Sequence, residues 1–145
     1  MADLTDVTRL VAGENGLTVV STLRADGSIQ ASVVNAGVLD FQGATCVGYV
    51  AIGGSRKLAN LRIRPQTTLV VRKGWEWVAV EGKSRLVGPD DVVDGVDAEQ
   101  LRLLLREVFT AAGGTHEDFD EYDRVMVAER RTAVLVTPER VYSNR

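Results

Sequence analysis

Hydrophobic positions along the chain follow two periods in turn, and the points where one gives way to the other outline its elements. Leu4, Val7, Leu10 and Val11 recur at helical spacing, with Asp3 or Thr5 near the start and Gly13 and Gly16 at the end. Two β-rich runs follow, Leu17–Arg24 and Ile29–Asp40, separated by Ala25-Asp26-Gly27-Ser28. An Asp-Gly pair between such runs predicts a hairpin, because glycine takes the positive φ that a tight turn demands. Phe41-Gln42-Gly43 turns the chain into a third strand, Ala44–Ala51, and the three strands form a meander. From Ser55 the period becomes helical: Leu58 and Leu61 share a face until Arg64-Pro65 closes the segment. Strands are predicted at Thr67–Arg72 and Trp75–Val87, joined through Lys73-Gly74. A helix from Asp97 to about Ala112 carries Leu101, Leu104, Leu105 and Val108 as its apolar stripe, and a shorter one spans Glu117 to Glu129. The last strand is Ala133–Thr137, with Arg140–Tyr142 after it.

This order, rich in hairpins, with one helix after the third strand and two before the sixth, is not a βαβ pattern. It predicts a mainly β chain, a six-stranded antiparallel barrel with short flanking helices. A length of 145 residues fits one domain, 1–145. A barrel this small leaves an apolar flank uncovered, which predicts a homodimer.

Composition narrows the function. The hydrophobic fraction of 45% supplies an ordinary globular core, and a net charge of −3 with signs interspersed offers no basic face for nucleic acid. The single cysteine, Cys46, lies in a strand-like run and reads as a small buried hydrophobe. One unpaired thiol, no secretory pattern and no apolar run of membrane-spanning length predict a cytoplasmic chain without a membrane partner.

The segment richest in chemistry is Gly53-Gly54-Ser55-Arg56-Lys57-Leu58-Ala59-Asn60-Leu61. Ser55 stands where an N-cap would, its hydroxyl able to accept from the amides of the first turn. Two cations directly after it oppose the helix dipole, which favours anions at this end by about 0.3–1 kcal/mol. They become favourable when an anion bridges them and the free amides, while paired glycines let the backbone approach closely. A solvated Arg-Lys pair is the equal alternative on local grounds.

The run Gly54-Ser55-Arg56-Lys57, Asn60-Leu61-Arg62, Arg64-Pro65, followed by strand Thr67–Val71 and Val80-Glu81-Gly82, resembles the split-β-barrel flavin and deazaflavin oxidoreductases related to pyridoxamine 5'-phosphate oxidase. His116-Glu117-Asp118-Phe119-Asp120-Glu121-Tyr122, Glu129-Arg130-Arg131 and Val141-Tyr142 resemble the subgroup that uses the deazaflavin coenzyme F420. The resemblance spans almost the whole chain. It implies that Arg56 and Lys57, with Ser55 beside them, bind the cofactor's phosphate. It also implies that backbone at Val33, Val34, Asn35, Val50 and Ala51 lies against the ring. Trp75 and Trp77 match aromatic positions near the cofactor that the partner subunit supplies across a homodimer interface; by themselves they read as same-face packing on one strand. The basic strand with which pyridoxamine phosphate oxidase holds FMN is missing, because Ser32-Val33-Val34-Asn35-Ala36 carries no cation. That departure favours F420 over FMN, and Arg62, Arg64, Arg72 and Lys73 are candidates for its acidic tail.

No constellation for protein-borne chemistry accompanies these features. His116 is the only histidine and has no triad or metal partners at defined spacing, and no Walker phosphate loop occurs. The implied activity is F420-dependent reduction of an unsaturated small molecule (enone, quinone or tetrapyrrole-like), with no catalytic side chain and no metal. The alternatives are an FMN-dependent oxidoreductase of the same fold and a non-catalytic flavin, haem or tetrapyrrole-binding module.

Overall fold

The computed structural model describes residues 1–13 and 15–145; Glu14 lies outside the described residues. In chain order the elements are α1 (Leu4–Gly13), β1 (Leu17–Leu23), β2 (Ile29–Phe41), β3 (Ala44–Ala51), α2 (Arg56–Ile63), β4 (Gln66–Lys73), β5 (Glu76–Val87), α3 (Ala98–Ala111), α4 (Phe119–Ala128) and β6 (Thr132–Ser143). The six strands close into an antiparallel barrel in the order β1-β2-β3-β6-β5-β4, with helices at its margins. The predicted Asp-Gly hairpin joins β1 to β2: Gly27 has φ +85°, and the Asp26 carboxylate accepts from the Ser28 amide at 2.9 Å.

Strand periodicity divides the barrel into an inside and an outside. Thr18, Val20 and Thr22 of β1 point inward, while Leu17 and Val19 face out. The interior is packed by Val20, Val47, Tyr49, Leu69, Val78 and Val136, with Val7 and Leu10 of α1 and Leu58 and Leu61 of α2 packed into the same cluster. A second cluster lies outside the wall, where Leu104, Leu105 and Val108 of α3 and Tyr122 of α4 cover Leu39, Cys46 and Leu135. Gly37 makes that cover possible, since a Cβ there would lie 2.1 Å from the Ala111 carbonyl oxygen. Cys46 is buried in this second cluster, and burial pushes its thiol up to about 11, which suits a hydrophobe and not a nucleophile.

One break in the wall positions everything that follows. Residues 29–35 of β2 pair with β1, and residues 36–41 pair with β3. The β2–β3 ladder stops at Ala36–Tyr49. Past that point Val33, Val34 and Asn35 on β2 and Val50 and Ala51 on β3 border a split in the sheet, where main-chain groups on the facing edges have no ladder partner.

Two expectations about strand ends are corrected. β6 does not stop at Thr137 but runs on through Pro138 to Ser143. Proline is tolerated because β6 pairs with β3 only over Thr132–Val136 and has β5 alone as neighbour afterwards, with the register shifting at Glu81/Gly82. Trp75 lies outside β5, in the tight turn with Gly74 (φ +60°) that closes the Lys73–Glu76 pair.

Candidate functional site

The glycine pair before α2 fixes where its N-terminus sits. Gly53 packs against the α4–β6 corner so closely that a Cβ would fall 2.6 Å from the Arg130 Cβ and 2.7 Å from its carbonyl oxygen, and its amide donates to the Glu129 carbonyl at 3.0 Å. Gly54 then takes φ +80° and turns the chain into the helix. Ser55 occupies the N-cap position with extended backbone, and its carbonyl accepts from the Ala59 amide at 3.3 Å. Its hydroxyl makes no capping bond, contrary to the sequence expectation; Oγ is buried without a partner among the described residues. A buried hydroxyl in that state is an unmet hydrogen-bonding demand beside two cations.

The corner that Gly53 contacts is itself under backbone constraint. α4 ends with the Arg130 amide donating to Val127 O at 3.1 Å and the Arg131 amide to Met126 O at 2.9 Å, with Arg130 at φ +49°. This is a Schellman cap with an arginine where glycine is usual, in a conformation disfavoured by about 1–2 kcal/mol for a residue with a Cβ. The cap delivers Arg131 to the start of β6, beside Lys57. Burial, together with the Arg131 charge, lowers the Lys57 pKa below the ordinary lysine range.

Most other arginines here are committed. Arg62 grips Asp91 through two bonds (2.9 and 2.8 Å), Arg102 and Arg106 share Asp123, Arg130 pairs with Asp90, and Arg9 and Arg145 meet Glu76. Among the described residues neither Arg56 nor Lys57 joins an ion pair, and Arg131 has only Glu129 at 2.8 Å. A half-buried lysine next to an arginine, with no carboxylate of its own, is an electrostatic deficit that an anion would fill.

From this corner a groove of about 430 Å³ runs beside the split, lined by Asn35, Val50, Phe109, Tyr122, Met126 and Arg131. The Asn35 amide donates to Asn15 O at 2.7 Å. Of the predicted ring-facing residues, Val33 and Asn35 are exposed on the outer side, whereas Val34 packs towards the interior and Ala51 is buried, so the side chains of these two do not face the groove. The two tryptophans lie elsewhere. Trp75 is 93% exposed, and Trp77 meets Tyr142 edge-on at 6.1 Å, both lining an open depression of about 750 Å³ with Val70, Arg72 and Tyr142. No residue is common to this depression and the groove. Within one chain, therefore, Asn35 and Val50 line one depression and Trp75 and Trp77 another, while Ser55, Arg56 and Lys57 stand at the start of α2 and line neither.

Three of the arginines suggested for an acidic tail are engaged locally: Arg62 with Asp91, Arg64 with the Leu23 carbonyl (3.0 Å) and Arg72 with the Gly74 carbonyl (3.3 Å). Sequence reasoning assigns no role to Arg131 and gives no signal for the contact of Gly53 with the α4–β6 corner. Nothing in local spacing connects Arg131 to Lys57; only the packing of α2 against the α4–β6 corner does so. His116 is a turn residue, accepting from the Asp118 amide at 3.0 Å through Nδ1.

No family model matches the sequence. Solved structures do match the fold. A conserved hypothetical protein of Mycobacterium tuberculosis superposes with a TM-score of 0.71 at 18% identity, over 99% of this chain and 84% of that one. A protein described as an F420 reductase gives 0.61 at 14% identity over 91% and 93%. A pyridoxamine 5'-phosphate oxidase-related, FMN-binding protein of Nostoc punctiforme gives 0.67 at 10% identity over 96% and 80%. The fold is thus the split barrel of pyridoxamine phosphate oxidase-related proteins. Solved examples of it include an F420 reductase and an FMN-binding protein.

Proposed function

We propose that the chain is an F420-dependent reductase that acts as a homodimer on an unsaturated small molecule. The observation that carries this reading is the half-buried Lys57 beside Arg131, without a carboxylate of its own, at the open end of the split. Lys57, Arg56 and Arg131 hold the cofactor's phosphate, and the orphaned Ser55 hydroxyl donates to it. Main chain at Val33, Val34, Asn35, Val50 and Ala51, where the β2–β3 ladder has stopped, lies against the ring. When bound, the deazaflavin supplies a hydride donor; the protein supplies position, charge and shelter from water. No side chain is assigned as a proton donor.

The homodimer is supported by an apolar row that crosses the outer wall. Val33, Val19, Val70, Ala79 and Tyr142 are register neighbours on five adjacent strands, and Val33, Val19 and Tyr142 are 62%, 43% and 38% exposed. Covering this row with a second copy would bring the partner's aromatic depression towards the cofactor, which Trp75 and Trp77 cannot reach from the groove in their own chain. A reducing, cytoplasmic setting accords with the single buried thiol. No helix among the described residues is long and apolar enough to cross a membrane.

FMN is the second reading, favoured by the FMN-binding neighbour and disfavoured by the lack of a cation in Ser32–Ala36. The deciding experiment titrates purified protein with F420, followed by its fluorescence, and with FMN. Tight F420 binding should fall by several kcal/mol in Arg56→Ala/Lys57→Ala, at about 1.5–3 kcal/mol per charged hydrogen bond. Unchanged affinity in a folded double variant would overturn the phosphate site. Preference for FMN would overturn the choice of cofactor alone.

A further inference from the structure

The connection between β5 and α3, residues 88–97, arches over a recess that the cofactor reading does not use. Its start is a small bridge in which Gly88 and Asp91 exchange main-chain hydrogen bonds at 3.1 Å. Three anchors hold the arch: Arg62 of α2 grips Asp91, Arg130 of the α4–β6 corner pairs with Asp90, and Gln42 Nε2 donates to the Asp94 carbonyl at 3.1 Å. Beneath it lies a cavity of about 450 Å³ between the arch, α3 and α4. Its apolar lining comes from Val92 and Val96 of the arch, Leu101 and Leu105 of α3, and Met126 and Val127 of α4.

We propose that this recess binds a small, neutral, predominantly apolar organic molecule. Its size falls in the range of ordinary ligand cavities, roughly 300–1,000 Å³, and each of its three sides contributes apolar side chains. Two large apolar side chains stand uncovered in the lining, Val92 at 85% and Val127 at 78% exposure, and a bound molecule would bury them. The rim disfavours an ion. Asp91 belongs to Arg62, Asp123 to Arg102 and Arg106, Arg130 to Asp90 and Arg131 to Glu129, and the Asp97 carboxylate caps α3 by accepting from the Gln100 amide at 2.8 Å. A charged ligand would have to break one of these pairs, whereas a neutral apolar one leaves them intact. Recognition is by shape and burial, with the anchored arch keeping the cavity open in advance.

The site is separate from the groove beside the split but shares a wall with it, since Met126 and Arg131 line both. An occupant under the arch thus sits one side chain away from the groove. Its presence is readable without any redox cofactor, so the proposal stands or falls apart from the F420 reading.

The test uses N-phenyl-1-naphthylamine, a neutral apolar fluorophore, added to the full chain without cofactor. Saturable enhancement at one probe per chain is expected, with methyl NMR shifts at Val92, Val96, Leu101 and Met126. Leu101→Trp fills the cavity and Val92→Asp puts a carboxylate at its mouth; each should weaken probe binding by about tenfold or more. Because Val92 is exposed, Val92→Asp keeps the result decisive even where the tryptophan variant fails to fold. Failure to saturate, binding unaffected in folded Val92→Asp, or shifts confined to the outer-wall residues Val19, Val33 and Tyr142 would each overturn the proposal.

Discussion

The corner around Lys57 and the depression around Trp77 are both open to solvent, yet they are built in opposite ways. The corner is made by backbone constraint. A glycine with no room for a Cβ, a second at φ +80° and an arginine at φ +49° converge to bring two cations together without enough counter-charge. The depression needs none of this: it is where an apolar stripe of the barrel wall lacks a cover, beside a turn that leaves Trp75 in water. On the proposed reading, unrelieved charge under strain suits a small anion, whereas relaxed apolar exposure suits a broad partner. The two halves of the inferred cofactor site are of different kinds, and they should fail differently.

Gly53→Val should have the largest effect. The new side chain overlaps the Arg130 main chain, so the α2 start and the α4–β6 corner must part. A stability loss of about 1–3 kcal/mol is expected in thermal melting, with F420 affinity falling about a hundredfold as Lys57 and Arg131 separate. Retained affinity in the folded variant would mean that the corner does not depend on this contact. Trp77→Asp strikes the other half. It should shift dimer to monomer by about 2 kcal/mol in sedimentation velocity while the isolated chain stays folded; an unaltered association constant would remove the depression from the interface.

Lys57→Met separates function from stability. Removing a half-buried, uncompensated charge should raise the melting temperature of the ligand-free protein slightly, by less than about 1 kcal/mol in stability, while weakening anion binding. The pH dependence has two signs. Because the folded pKa of Lys57 lies below its unfolded value, the fold binds fewer protons, and stability rises with pH through that range. Anion affinity falls over the same range as the lysine is discharged. Lys57→Met should abolish both slopes, and an unchanged alkaline binding profile would assign the titration to another group. An effect on stability alone is expected at Tyr122, whose hydroxyl donates to the Leu105 carbonyl at 2.9 Å and so ties α4 to α3. Tyr122→Phe should cost about 1 kcal/mol. Burial raises this phenol to about 12. The unfolded chain therefore ionises first, and stability is lost above pH ~10 in the wild type but not, from this group, in the variant.

What could be read in advance were features whose cause is local. Asp26-Gly27 dictates its turn, and Leu104, Leu105 and Val108 dictate a buried helix face whichever strands they cover. Asp97 starts the helix where the spacing places it, and the structure adds a capping box with Gln100. The misreadings arise where a distant partner decides. Pro138 stops a central strand but not one that has just lost a neighbour, and only the β3–β6 register reveals that loss. Ser55 has the right residue type and backbone for a cap, yet its hydroxyl stays unpartnered. Arg131 joins Lys57 through a glycine contact between segments more than seventy positions apart, for which no periodicity is a signal.

The strand order carries a consequence for how the protein is made. β6 follows every other strand in the chain, but in the barrel it stands between β3 and β5, pairing Val47 with Val136 and Val80 with Val141. While the ribosome is still translating, β3 and β5 each present a bare edge. At about 5–20 residues per second, the 56 residues from the end of β5 to the end of β6 leave those edges open for seconds. A rare codon late in the message would lengthen the interval in which the nascent chain can pair with the wrong neighbour.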